Sequence, residues 1–325
     1  MSGHPFGDPV GHPVASSQPP PSPQASTSAG AGNDTDSLHR DPSPSPPTGS
    51  PAPSVSSPRP SRVRVRHVEW VHQRLTPRDV KIIDTVARLR LVTGQQLGRL
   101  HFADLTPGSR DRARRRVLRR LVCWRVLATL DRRVGGVRAG SNGLAFTLDT
   151  AGQWLHRLHT AQDAATAPRR PPQPSAAFTS HILAVTALYV GLVEASRRQP
   201  LIVREFQAEP ACWWPHPAGG WLKPDAYVVL AAAGVRDAWW IEVDQATESL
   251  PCVRLKLTAY LDFAHRGGLG PTGVLPRVLI TTTTPQRRHA IADLITGLPP
   301  PAGRLFDVCL HATATEHLAA ALHNQ

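Results

Sequence analysis

Asp225, Glu242, Asp244 and Lys256 are the residues of this 325-residue chain best suited to do chemistry. Three carboxylates offer hard oxygen ligands of the kind that hold Mg²⁺. A lysine beside them can steady charge on a phosphate or position an attacking water. Buried without partners, the same carboxylates would cost free energy. A purely structural reading therefore stands beside the chemical one. Asp225 can cap the turn after Pro224, Glu242 can pair with Lys256 or Lys223, and Asp244 can cap the turn from Thr247 to Leu250.

Two short strands and a helix must position these groups. Tyr227 to Leu230 and Ala238 to Val243 are apolar and β-rich, with Ala231-Ala232-Ala233-Gly234 between them. Side chains alternate faces along a strand, so Trp240, Glu242 and Asp244 are expected on one face and Ile241 and Val243 on the other. Asp225 is expected at the mouth of the neighbouring strand. A predicted helix from about Leu250 to Phe263, with Pro251 in its first turn, carries Lys256. Around this centre, Phe178 to Arg198 predicts a helix, Leu201 to Phe206 a strand and Arg277 to Thr283 a strand. Thr284-Pro285 starts a helix through Leu294, Leu305 to Leu310 is a strand and Thr315 to His323 a last helix. The order α-β-β-β-α-β-α-β-α predicts a mixed sheet with helices on its faces. Of the other acids, Glu194, Glu205 and Glu209, the best placed to join the site is Glu205, while His181 and His265 read as packing or surface residues.

A second chemistry is concentrated in one helix. Arg110, Arg112, Arg114, Arg115, Arg116, Arg119 and Arg120 crowd a predicted helix from Arg110 to Cys123, with Ala113, Val117, Leu118, Leu121 and Val122 as its buried stripe. Like charges so spaced repel unless a polyanion or solvent screens them. Before it, Thr76-Pro77 opens one helix, a short helix follows from Thr93, and Thr106 to Ser109 reads as a turn. After it, Val126 to Leu130 and Leu144 to Leu148 read as strands around a loop that carries Arg132, Arg133 and Arg138 and ends in Asn142-Gly143. Asp149 or Thr150 caps a further helix through Leu158. Three helices and then a hairpin is the order of a winged helix-turn-helix, whose third helix enters the major groove while the hairpin touches the backbone. Arginines at this density give affinity through phosphates and do not identify a base sequence. The alternating Arg and Val of Ser61 to Arg66 read as an edge strand or a basic arm.

Composition agrees with this division. The net charge is +13, and residues 61–160 hold 21 basic against 7 acidic residues, where residues 161–325 hold 14 against 13. So local an excess points to nucleic acid. Residues 1–60 contain 15 Pro and 13 Ser, too little apolar surface to offset ordering entropy. The expected organisation is a disordered tail (1–66), a winged-helix DNA-binding domain (67–160), a linker (161–175) and a mixed-sheet domain (176–325). The four cysteines show no zinc or disulfide spacing. No apolar run is read as approaching the ~18 residues of a membrane span, and no signal-peptide pattern opens the chain. A soluble cytoplasmic protein is expected.

Pro224-Asp225 at the second core strand and Glu242-Val243-Asp244 on the third resemble the PD-(D/E)xK nuclease-like superfamily. With the winged helix in front, about residues 70–325 resemble the replication-relaxation family, whose motif is similar to Glu242-x-Asp244-x-x-Thr247-Glu248 followed by Lys256 and Tyr260. The resemblance implies an N-terminal winged helix followed by a restriction-endonuclease-like α/β domain. It implies DNA as a partner, in plasmid or mobile-element replication and mobilisation, together with other proteins of those processes. The leading reading is a DNA-binding accessory protein whose nuclease-like domain serves assembly or structure; only if that domain is an active nuclease would Asp225, Glu242 and Lys256 be catalytic and Asp225, Glu242 and Asp244 ligands of Mg²⁺. The chain departs from the nuclease motif at its third position, where Asp244 stands in place of lysine. Lys256, from the following helix, is expected to reach back. The chain uses 34 Arg and only 3 Lys, so a lysine kept near the carboxylates is notable as a compact point charge. Two other readings remain: a Mg²⁺-dependent DNA endonuclease or nickase, and a winged-helix transcription regulator.

Overall fold

The computed structural model describes residues 63–130, 143–160, 168–169 and 173–323. All of them belong to one compact unit, Ser61–Gln325. Residues 1–62, Arg132, Arg133 and Arg138 on the expected wing, and most of the expected linker lie outside the described residues.

The first half runs α1 (Val65–His72), α2 (Pro77–Leu89), β1 (Val92–Thr93), α3 (Gly94–His101), α4 (Pro107–Cys123), β2 (Leu127–Thr129), β3 (Ala145–Leu148) and α5 (Thr150–Thr160). The second half runs α6 (Ala176–Ser196), β4 (Ile202–Ala208), β5 (Trp214–Pro215), β6 (Trp221–Leu222), β7 (Ala226–Ala232), β8 (Val235–Asp244), α7 (Leu250–His265), β9 (Arg277–Thr282), α8 (Pro285–Thr296), α9 (Ala302–Leu305), β10 (Phe306–Leu310) and α10 (Ala314–His323). The fold is mixed α+β, as expected.

Local chemistry explains the starts of the helices. Thr76 and Asp79 form a reciprocal capping box on α2, with Pro77 at its first position, and Thr93 and Gln96 do the same for α3. α4 begins at Pro107, three residues before the expected start, because Thr106 already has the extended backbone of an N-cap. Val65 and Arg66 belong to a helix, neither edge strand nor arm; Val68 and Val71 give α1 the buried face that fixes it. β1 was not expected. Its two residues pair with β3, so the anticipated hairpin is the larger part of a three-stranded sheet ordered β1-β3-β2.

The larger sheet has the order β10-β9-β8-β7-β4. β4, β7 and β8 run antiparallel to one another, and β8, β9 and β10 run parallel. Ala233 and Gly234 turn β7 into β8, both with positive φ (46° and 85°), the requirement of a tight two-residue hairpin turn. Trp239, Ile241 and Val243 share a core with α6 and α10, whereas Trp240 packs with α7 and α8. The expected alternation along β8 is therefore present. The small β5–β6 pair, inserted before β7, was not expected.

α6 has 21 residues and is long and apolar enough, by length and composition, to cross a membrane, which corrects the expectation that no run approaches that length. Here Val185, Leu188 and Leu192 are buried in a core that also takes in Val68, Ile82, Leu97 and Leu121 from the first half. Thr186 donates to the Leu91 carbonyl (2.8 Å) and Arg197 to the carbonyls of Arg99 and Leu100. One apolar core thus joins the helices of the first half to α6 and α10, while α7 and α8 pack in a second core on the other face of the larger sheet.

Candidate functional site

Two charged centres were expected, and both occur. On α4, Arg112, Arg115, Arg116 and Arg119 follow the spacing i, i+3, i+4, i+7 and form one exposed face. The other three arginines turn inward. Arg110 donates to the carbonyls of Phe102 and Leu105, and Arg114 pairs with Asp111 at 3.0 Å. Arg114 also lies along α3; a Cβ on Gly98 would sit 3.0 Å from its Cδ, so that glycine lets the helices close. Arg120 pairs with fully buried Asp79 through both carboxylate oxygens (2.8 and 2.7 Å) and lies over the Trp124 ring. Arg110 and Arg120, expected to meet DNA, are thus engaged by the protein itself.

At the end of the larger sheet, the hairpin brings Asp225, before β7, beside the last residues of β8. Asp225 accepts from the Val243 N–H (2.7 Å) and pairs with His181 Nε2 of α6 (3.0 Å). Glu242 is buried and accepts a short hydrogen bond from the Tyr260 hydroxyl. Lys256 reaches back from α7, as expected, to 3.6 Å from Glu242, and pairs with Glu248 at 3.0 Å. Asp244 is held separately. Arg287 of α8 binds it with two hydrogen bonds (2.8 and 2.9 Å) and donates a third to the Glu248 carbonyl. Lys223 is not at the site; it lies over the Trp213 ring.

Electrostatics follow from these contacts. Burial, then the Asp225 charge, pushes the Glu242 carboxyl up to about 8, against the opposing pull of Lys256 and Tyr260. The hydrogen bond to Asp225 raises the His181 imidazole, against burial. Burial works against the Lys256 ammonium, but Glu242 and Glu248 outweigh it and hold its pKa above the usual value. Burial and the neighbouring Glu242 put the Tyr260 hydroxyl far above its ordinary range. The cleft beside these groups holds only about 50 Å³. Among the described residues, no group of three or more His, Cys, Asp or Glu side chains stands where it could hold a metal ion. The three expected ligands are divided among different partners, His181, Tyr260 and Arg287, which a Mg²⁺ ion would have to displace.

Residues 83–278, more than half of the chain, match the family model described as replication-relaxation. The chain belongs to the replication-relaxation family. No curated protein and no solved structure matches it. The matched span of this replication-relaxation protein runs from within α2 into β9 and takes in α4 together with Asp225, Glu242, Asp244 and Lys256, while Arg287 lies beyond it. Sequence reasoning missed two of its site residues. His181 had been set aside as packing, and Arg287 carried no motif. Their signals lay in position: each stands in the first turns of a helix whose start lies close enough for its side chain to reach one of the acids, Asp225 for His181 and Asp244 for Arg287. Of the other acids, Glu194 pairs with Arg99, Glu209 with Arg90 at 3.0 Å, and Glu205 lies inside β4 with Gln207 as its partner. None joins the cluster.

Proposed function

We propose that this replication-relaxation protein binds DNA through the exposed arginine face of α4, as an accessory protein of plasmid or mobile-element replication and mobilisation. The carrying observation is the face itself: Arg112, Arg115, Arg116 and Arg119 point to solvent together while their neighbours on the same helix pair inward. A cationic stripe of this kind attracts phosphates whatever the sequence. The order α2-β1-α3-α4-β2-β3 supports a winged-helix reading of this half, with α4 as the groove-facing helix. The test is a salt series of duplex binding by the full chain and by an Arg115→Ala/Arg116→Ala variant. Loss of two phosphate contacts should lower the slope of log affinity against log salt by about 1.8. An unchanged slope and affinity would remove α4 as the DNA-binding helix.

A second reading, phosphodiester cleavage by a nuclease-like site, is favoured by one observation, the approach of Lys256 from α7 to Glu242. In that reading Asp225 and Glu242 would hold Mg²⁺ after giving up His181 and Tyr260. Incubating supercoiled plasmid with the protein in Mg²⁺ or Mn²⁺ against EDTA tests it. Metal-dependent nicking lost in both Glu242→Ala and Lys256→Ala is the expected result. Intact plasmid with a salt-sensitive mobility shift would leave binding alone.

A further inference from the structure

We propose that the groove between α2, α3 and α4 is a second phosphate track, which holds a further stretch of DNA backbone beyond the one met by the α4 face. The proposal rests on the DNA-binding reading above and adds a site on a different helix.

The groove encloses about 760 Å³, and its lining includes Arg78, Lys81, Arg116 and Arg120. Two of these cations are already balanced. Arg78 pairs with Asp104 at 2.7 Å, and Arg120 pairs with Asp79. Lys81 and Arg116 are exposed, and among the described residues neither has an ion-pair partner. What remains in the groove is therefore two unanswered positive charges on facing helices. Arg116 belongs at once to the arginine stripe and to this groove, so a backbone crossing α4 has a continuous cationic path onto α2.

His101 reports the same field. Burial first, then the charges of Arg197, Lys81 and Arg78, push its imidazole down to about 4, so it is neutral near pH 7. Its Nε2 is taken by Thr85 at 2.9 Å. An uncharged, occupied histidine leaves the phosphate to Lys81 and Arg116. The choice of lysine is also informative. Only 3 of the chain's 37 basic residues are lysines, and Lys81 is the one that lies on this face. An ammonium suits a single phosphate oxygen as a point charge, where a guanidinium favours a planar, two-pronged partner.

The experiment is fluorescence anisotropy of a labelled duplex with the full chain across a salt series, using Lys81→Ala, Lys81→Arg and an Arg112→Ala/Arg119→Ala pair. Lys81→Ala should bind roughly 3- to 10-fold more weakly, with the salt slope lower by about 0.9, equally for unrelated sequences. Lys81→Arg should restore most of the affinity. Ethylation interference should show a phosphate cluster whose modification blocks the wild type but no longer matters to Lys81→Ala. If Lys81→Ala keeps the wild-type slope while the Arg112/Arg119 pair loses affinity, the groove is not a DNA track and the α4 reading stands. Such a result would also fit a groove that takes an acidic protein segment. If the Arg112/Arg119 pair binds as the wild type does, the DNA-binding reading fails and takes the second track with it.

Discussion

The two charged centres of this protein are built on opposite plans. On α4 the charges outnumber their partners, and the surplus is gathered on one face in water. At the end of the larger sheet every expected acid has a partner: Asp225 has His181, Glu242 has Tyr260 and Lys256, and Asp244 has Arg287. The difference follows from where the charges stand. An exposed arginine costs little to leave unpaired, whereas a carboxylate at the edge of a core cannot be left so. Surplus charge is therefore readable as binding capacity. Satisfied charge is readable first as structure, and any chemistry there must exchange one partner for another. Asp79 tests the distinction inside the arginine region, because it is where that region adopts the other plan.

Asp79 carries the largest expected effect. It is fully buried, receives the Thr76 N–H and hydroxyl, and binds Arg120 through both oxygens. Asp79→Ala removes a helix cap and strands a guanidinium, and should cost about 3 kcal/mol in chemical denaturation. A cost below about 1 kcal/mol would mean that burial does not separate the two plans. Arg287→Ala comes next. It leaves a buried Asp244 carboxylate without either of its hydrogen bonds and should cost about 2 kcal/mol. Unchanged stability would show that Asp244 is not held structurally by α8 and would reopen it as a ligand.

The third expectation concerns pH. The Glu242 carboxyl is raised from its ordinary 4.5 to about 8 in the folded chain. A group raised on folding contributes stability that is complete below the unfolded value and is lost as pH climbs through the folded one. Between about pH 5 and 8 the wild type should therefore lose stability relative to Glu242→Gln, which keeps an acceptor for Tyr260 but cannot ionise. Urea midpoints of the two proteins at several pH values read this directly. Parallel curves would mean that Glu242 is already ionised and paired with Lys256.

Most of this organisation could be read from the chain. The capping residues Thr76, Thr93 and Thr284 mark helix starts by local chemistry alone, and all three carry it out. The strand period placed Trp240, Glu242 and Asp244 on one face, and the helix period placed Leu118 and Leu121 on the buried side of α4. What escaped depends on partners distant in sequence. β1 is two residues long and exists because β3 pairs with it. His181 meets Asp225 and Arg287 meets Asp244 across 44 and 43 positions, and no local pattern marks either pair. Arg110 and Arg120 look like their neighbours in sequence; only the packing of α4 on α2 and α3 turns them inward.

The smallest expected effect bears most directly on the comparison. Arg112, Arg115, Arg116 and Arg119 stand three and four positions apart, where like charges on a helix cost about 0.2–0.5 kcal/mol per pair. If their charge is surplus, removing it should not weaken the fold. A combined Arg112→Gln, Arg116→Gln and Arg119→Gln variant should be as stable as the wild type or more stable by under about 1 kcal/mol at low salt, since glutamine keeps helix propensity close to that of arginine. The gain should fade as salt rises and the repulsion is screened. Duplex binding by the same protein should fall steeply. Thermal melts at two salt concentrations, beside the binding series, read both outcomes on one sample. A loss of more than about 1 kcal/mol, at a position where surface changes normally stay within about 0.5, would mean that these arginines hold the fold together. The contrast between surplus and satisfied charge would then be the wrong way to read this molecule.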